Sequence, residues 1–254
     1  MRIVVCIKQV SSNLLFANSV NKFAINPFDY YALEQAKMIK KNSKEEVRIT
    51  ALLMGLVEKR IAVELKALGC DRIIYLSDQS FAGADTLATS YTLGKAIEKI
   101  KEYDYIFCGD HTIDGETGHV AASLSQRLGI SYLNGVSKIV VDKERLLFEK
   151  DEANKCKFMT MEAPVIVSFQ LCTLKETNLS LKQLRGINTI SYDLWNAGDI
   201  CADVRKCGTA GSKTKVVSTT SLYYKDSEKV EFVTGDTDEK CKRILGGLNI
   251  VNGI

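Results

Sequence analysis

The stretch Ile113 to Gly129, "IDGETGHVAASLSQRLG", sets two acids, Asp114 and Glu116, beside Thr117 and the glycines Gly115 and Gly118, directly before a helical pattern. A helix start leaves several backbone N–H groups unpaired and bears a partial positive charge, which together suit a phosphate. Gly115 and Gly118 let the backbone approach an anion closely, while Thr117 and the amides of Gly118, His119 and Val120 can cradle its oxygens. The plainer reading is a capped turn in which Glu116 or Thr117 merely satisfies the helix start. A second loop, "GADTLATS", raises the same alternative: Thr86 and Thr89 are three apart on one side of a helix start, so both hydroxyls can donate to an anion or simply cap the helix.

These loops must be held by strands. The β-branched runs "RIVVCIK", "VRITALLMG", "RIIYLSD" and "YDYIFCGD" alternate with helical periodicity through the first half of the chain. One helix opens at "NPFDYYALEQAKMIKK", with Asn26 as N-cap, Pro27 at the first helical position and Asp29 in the first turn. In "EKRIAVELKALG", Ile61, Leu65 and Leu68 line one face and Gly69 stops the helix. Val120, Leu124 and Leu128 form a single stripe on the helix after "DGETG". This rhythm predicts an α/β protein with a doubly wound, mostly parallel sheet. Beyond Gly129 the runs "GVSKIVVDKERLLFEKD" and "KCKFMTMEAPVIVSFQ" predict antiparallel additions that extend the sheet. Residues 1–190 form the main domain on this reading, and residues 191–254, too weakly periodic for a core of their own, form a tail that wraps a partner.

Composition narrows the classes. With 46% hydrophobic and 26% charged residues among 254, and only 2 prolines, the chain is globular rather than disordered. A net charge of +3 on evenly spread lysines argues against nucleic acid or an anionic membrane as the main partner. The 8 cysteines occur singly with no C-x-x-C pair, which fits reduced cytoplasmic thiols and no metal site. The first apolar run meets polar sequence at once, so it reads as a buried strand rather than a leader or membrane span. Neither G-x-G-x-x-G nor a P-loop occurs, so a phosphate site must rest on the two loops above.

The segments "VVCIKQV", "INPFDYYALEQA", "LKALGCDRIIYLSD", "FAGADTLATSYTL" and "CGDHTIDGETGHVAASLSQRLGI" follow one another in the order and spacing of the β subunit of electron transfer flavoproteins, which the chain resembles strongly from Arg2 to Phe169. The resemblance implies a Rossmann-like, adenine-nucleotide-binding fold in a heterodimer whose larger α subunit holds an electron-transferring FAD. It implies AMP as a structural ligand of this subunit in many members and a second FAD, reduced by NADH, in electron-bifurcating ones. The "GADTLATS" and "DGETG" loops look more like the bifurcating group, with FAD. Carried over by position, Cys6, Ile7, Lys8, Asn26 and Met54 surround the adenosine, and Thr86, Thr89 and Asp114 to Val120 hold ribose and phosphates. No side chain need act as general acid or base, because the flavin does the chemistry.

Two departures stand out. Asp110 occupies a position where relatives carry lysine or arginine, and His119 replaces a glutamine. The polar stretch "CTLKETNLSLKQLRGINTIS" sits where the family docks on its partner, an acyl-CoA or similar flavin dehydrogenase, with Leu181 as the anchor flanked by Leu179 and Leu184. In the bifurcating members a ferredoxin or flavodoxin is a further acceptor. Glu149 or Asp151 lies near an acidic position that faces the mobile flavin domain, or at a merely solvated strand end. An adenine-nucleotide sensor or ATP-using enzyme of similar sheet order is the reading from another class.

Overall fold

A computed structural model describes residues 1–15, 22–142, 145–152, 155–172, 190–215, 217 and 233–247. The chain divides into two units, Met1–Lys215 and Val216–Ile254. The second contains the helix Thr237–Gly247, with Asp238 and Glu239 in its first turn.

The first unit is built on a sheet of seven parallel strands. Its members are β1 (Arg2–Ile7), β4 (Arg48–Met54), β5 (Arg72–Leu76), β6 (Tyr105–Gly109), β7 (Ser131–Val136), β11 (Val165–Phe169) and β12 (Asp193–Trp195), in the spatial order β12-β5-β4-β1-β6-β11-β7. The remaining strands, β2 (Gln9–Ser11) with β3 (Phe23–Ile25), and β8 (Lys138–Asp142), β9 (Arg145–Glu152) and β10 (Lys155–Met159), form two small antiparallel sheets. The antiparallel additions are therefore separate sheets. Of the two runs expected from "KCKFMTMEAPVIVSFQ", the second is β11, which enters the main sheet in parallel between β6 and β7. Its five residues are all buried, as a strand covered on both faces requires.

Helices α1 (Pro27–Asn42), α2 (Lys59–Ala67), α3 (Thr86–Ile100) and α4 (Val120–Leu128) connect the parallel strands. Strand alternation separates two cores. Ile3, Val5 and Ile7 of β1 pack with Leu33 and Ile39 of α1 and with Ile61, Leu65 and Leu68, while Val4 and Cys6 pack with Tyr91, Ala96 and Ile97 of α3 and Leu124 of α4. Gly69 and Gly129 follow the ends of α2 and α4 with φ of +100° and +65°, backbone that a side chain would strain. Residues 193–214 continue this unit: β12 pairs with β5, and Gly208 sits so close to Ser80 O and Ala82 O that no Cβ fits, at 2.3 and 2.6 Å.

Candidate functional site

From β1 the chain proceeds to β4 and then β5 on one side, and after α3 it crosses to β6 on the other. The direction of winding therefore reverses between β1 and β6. In open parallel sheets the crevice outside the carboxyl ends at such a reversal is where ligands bind. Here that crevice is bounded by Lys8 after β1, Gly55 after β4, and Gly109 and Asp110 at the end of β6.

Two side chains at the start of α1 build it. Asn26 stands in the N-cap position but makes no capping hydrogen bond; fully buried, its amide donates to His111 O at 2.9 Å and accepts from the Ile113 amide at 3.3 Å. Asp29, expected only to complement the helix dipole, is buried and accepts from the Lys8 amide at 2.8 Å and the Gly109 amide at 2.9 Å. Burial pushes its carboxyl up to about 7, against the opposing pull of those amides, the Asn26 side chain and Lys8. A Cβ on Gly109 would lie 2.5 Å from Asp29 Oδ1 and 2.6 Å from Phe28 Cβ, so only glycine lets α1 close on β6.

The loop after β6 is exposed and turned by Glu116 and Gly118, with φ of +51° and +63°. Asp114 pairs with Lys8 Nζ at 2.6 Å. Partial burial raises the Asp114 carboxyl, and the bonds from Lys8 and Thr112 outweigh it, leaving the group below the usual carboxylate range. Asp110 accepts from Ser168 Oγ at 2.8 Å and contacts His111 Nδ1 at 3.0 Å, and Ser168 Oγ also meets the Tyr132 hydroxyl at 2.9 Å. Asp110 and Asp114 thus already have partners. His119 is the N-cap residue of α4 yet gives no capping bond, and the first turn holds no acid, so no described side chain caps its opening N–H groups.

The start of α3 is different. Asp85 caps it, accepting from the Ala88 amide at 3.0 Å, and its other oxygen takes the amides of Lys213 and Thr214 at 2.7 and 3.1 Å. Burial raises this carboxyl, but the hydrogen bonds from Ala88, Thr214 and Lys213 prevail and bring it down to about 2. Thr86 and Thr89 follow half-buried on one side of the helix, so the cap of α3 is a carboxylate rather than either threonine.

The structure brings Lys8 and Asp114 to Val120 together at one margin, with Asn26 beneath them. Cys6 and Ile7 are buried within β1, and Met54 is half-buried at the end of β4. Leu179, Leu181 and Leu184 lie outside the described residues. Glu149 pairs with Lys138 at 2.8 Å, and its oxygen, that of Asp151 and Cys156 Sγ lie within 4.8 Å of one another. All eight cysteines are free thiols. Among the described residues no helix is long and apolar enough to cross a membrane. The sequence reading missed Asp29 as a strand tie, Gly109 as an obligatory glycine, and His111. Their only signals were a glycine closing an apolar strand and a histidine beside an acid in a strand-end loop.

The fold defines a doubly wound α/β protein whose candidate ligand margin is the carboxyl ends of β1, β4 and β6. The chain matches the electron transfer flavoprotein domain over residues 13–174. It is 34% identical over 245 residues to the electron transfer flavoprotein subunit beta of Clostridium acetobutylicum, covering 91% of this chain and 92% of that one. It is 30% identical over 277 residues to Protein FixA of Rhizobium leguminosarum, covering 100% and 97%. The caffeyl-CoA reductase-Etf complex subunit CarD of Acetobacterium woodii is 29% identical over 252 residues, at 93% of each chain. The chain belongs to the electron transfer flavoprotein beta-subunit family, and its work is electron transport.

Proposed function

We propose that this chain is the beta subunit of a heterodimeric electron transfer flavoprotein that holds FAD at the crevice between β1 and β6 and passes electrons between NADH, the alpha-subunit FAD and a partner dehydrogenase, by flavin-based bifurcation. The observation that carries the reading is the start of α4. It lies at the switch point behind a glycine-rich turn, with no side-chain cap among the described residues, while the neighbouring acids Asp110 and Asp114 are paired internally. The residues present fit an adenine nucleotide. The amides of Gly118 to Val120 and the Thr117 hydroxyl would hold the phosphates, with the Thr86 and Thr89 hydroxyls of α3, and Cys6 to Lys8 with Met54 would border the adenosine. Asn26 and Asp29 position the two strand ends. When bound, FAD supplies hydride acceptance and single-electron transfer; the protein orients it and sets its electrostatic surroundings. The relative that is a subunit of a caffeyl-CoA reductase-Etf complex favours a reductase or dehydrogenase as the partner.

The competing reading is a non-bifurcating carrier subunit with structural AMP, serving an acyl-CoA dehydrogenase. Its support is the same crevice, whose loops would take an adenosine phosphate whether or not a flavin follows. Tagged chain purified from its native cells tests the common part: a flavin-bearing larger subunit is expected to copurify with visible absorbance. Recovery of this chain alone, colourless and free of nucleotide, contradicts both readings.

A further inference from the structure

The loop that would receive the phosphates is acidic. Asp110, Asp114 and Glu116 face it from the loop itself, Asp29 lies buried behind Gly109, and Lys8 from β1 is already committed to Asp114. From the neighbouring strands, the uncharged Ser168 of β11 donates to Asp110 and meets the Tyr132 hydroxyl of β7. A phosphate entering this field gains from a cation, and within the described loop after β6 the groups able to become one are the histidines His111 and His119.

His111 is the one the structure holds in place. Its carbonyl accepts from Asn26, its ring lies against Phe28 with centroids 5.9 Å apart, and its Nδ1 is 3.0 Å from Asp110 Oδ2. Asp110 Oδ2 can only accept, so the Nδ1 edge of the ring faces a carboxylate and Nε2 is the nitrogen turned away from it. That Nε2 points at the turn before α4: a methyl group placed on Gly118 would stand 3.3 Å from it.

We infer that His111 is an anion-binding residue of this site, donating from Nε2 to a nucleotide phosphate at the start of α4 once its ring takes up a second proton. The inference rests on the nucleotide reading above. Asp110, 3.0 Å from Nδ1, then serves as the residue that orients the ring, which gives a purpose to an acid beside this loop. Binding and protonation are reciprocal, so affinity rises as pH falls through the range in which histidine changes charge.

The test is AMP binding to the full-length chain, freed of nucleotide, by equilibrium dialysis at pH 6 and pH 8 at one ionic strength, for wild type and His111→Gln. Both proteins see the same titration of the AMP phosphate, so the difference between them isolates the ring. Wild-type affinity is expected to fall about fivefold to tenfold more than that of H111Q over this interval, a tenfold change being one unit of coupling. Calorimetry in two buffers of different ionisation enthalpy is expected to show proton uptake that H111Q lacks. His111→Lys, a cation throughout, is expected to bind without the extra slope. Superimposable profiles for wild type and H111Q, with AMP bound by both, overturn this inference and leave the nucleotide reading standing. Failure of both proteins to bind AMP or FAD at any pH overturns the two together.

Discussion

The carboxylate of Asp29 reaches the Gly109 amide at 2.9 Å with one oxygen and the Lys8 amide at 2.8 Å with the other, so a single side chain of α1 ties together the carboxyl ends of β1 and β6. The tie lies across the winding reversal, and the ligand margin is therefore built on a buried ionisable group.

Burial holds the Asp29 carboxyl at about 7, well above its ordinary value of 3.8. Between those values the folded chain binds a proton that the unfolded chain releases. The stability this group contributes is full below about pH 4 and is lost as pH rises through about 7. Urea unfolding free energies of wild type and Asp29→Asn, measured from pH 4 to 8, are expected to converge or cross as wild type loses this contribution. A constant difference between the two contradicts it. Asp29→Ala leaves two buried amides without an acceptor and is expected to cost about 3–5 kcal/mol.

Gly109→Ala tests the packing side of the same junction. Its Cβ would meet Asp29 Oδ1, Phe28 Cβ and the Asp29 amide nitrogen within 2.9 Å, and backbone cannot swing aside as a side-chain tip can. A loss of at least about 2 kcal/mol is expected, together with weakened AMP binding. Unchanged stability would mean that α1 does not seat on β6 as described.

Asp85 acts at the other margin. Its pKa of about 2 lies below the ordinary 3.8, so the stability it lends is present above about pH 4 and is lost as pH falls through about 2. Asp85→Ala removes the cap of α3, worth about 1 kcal/mol, and frees the amides of Lys213 and Thr214. Trypsin is expected to cut after Lys213 several times faster in D85A at pH 8. Equal cleavage rates contradict the clasp.

Lys8 separates stability from binding. Its pair with Asp114 is solvent-exposed, with side-chain exposures of 45% and 34%, so Lys8→Ala is expected to shift unfolding by less than about 1 kcal/mol. FAD affinity is expected to drop about tenfold or more, since the cation that neutralises Asp114 beside the proposed nucleotide is lost. Thr86→Val with Thr89→Val, which removes two hydroxyls at nearly constant volume, is expected to behave alike. Stability losses without binding losses would make these residues structural.

Much of this architecture was legible because periodicity reports burial. Four buried β-branched runs became β1, β4, β5 and β6, and the Val120, Leu124, Leu128 stripe does pack onto the second core. Pairing was less legible. Val165 to Phe169 reads alike as an antiparallel or a parallel strand, and only long-range contacts with β6 and β7 decide. Asn26 and Asp29 have the residue types of a helix start, and sequence offers no sign that their side chains reach residues some eighty positions away. The DGETG motif marked the candidate loop before α4, whereas His111, three residues upstream of Asp114, lies beside it only through the turn at Gly118.

The most direct test is a count of nucleotides released by heat from the purified complex of this chain with its flavin-bearing partner. Two FAD per complex and no AMP is the expected result. One FAD with one AMP contradicts a flavin at this crevice and leaves the subunit a structural nucleotide holder.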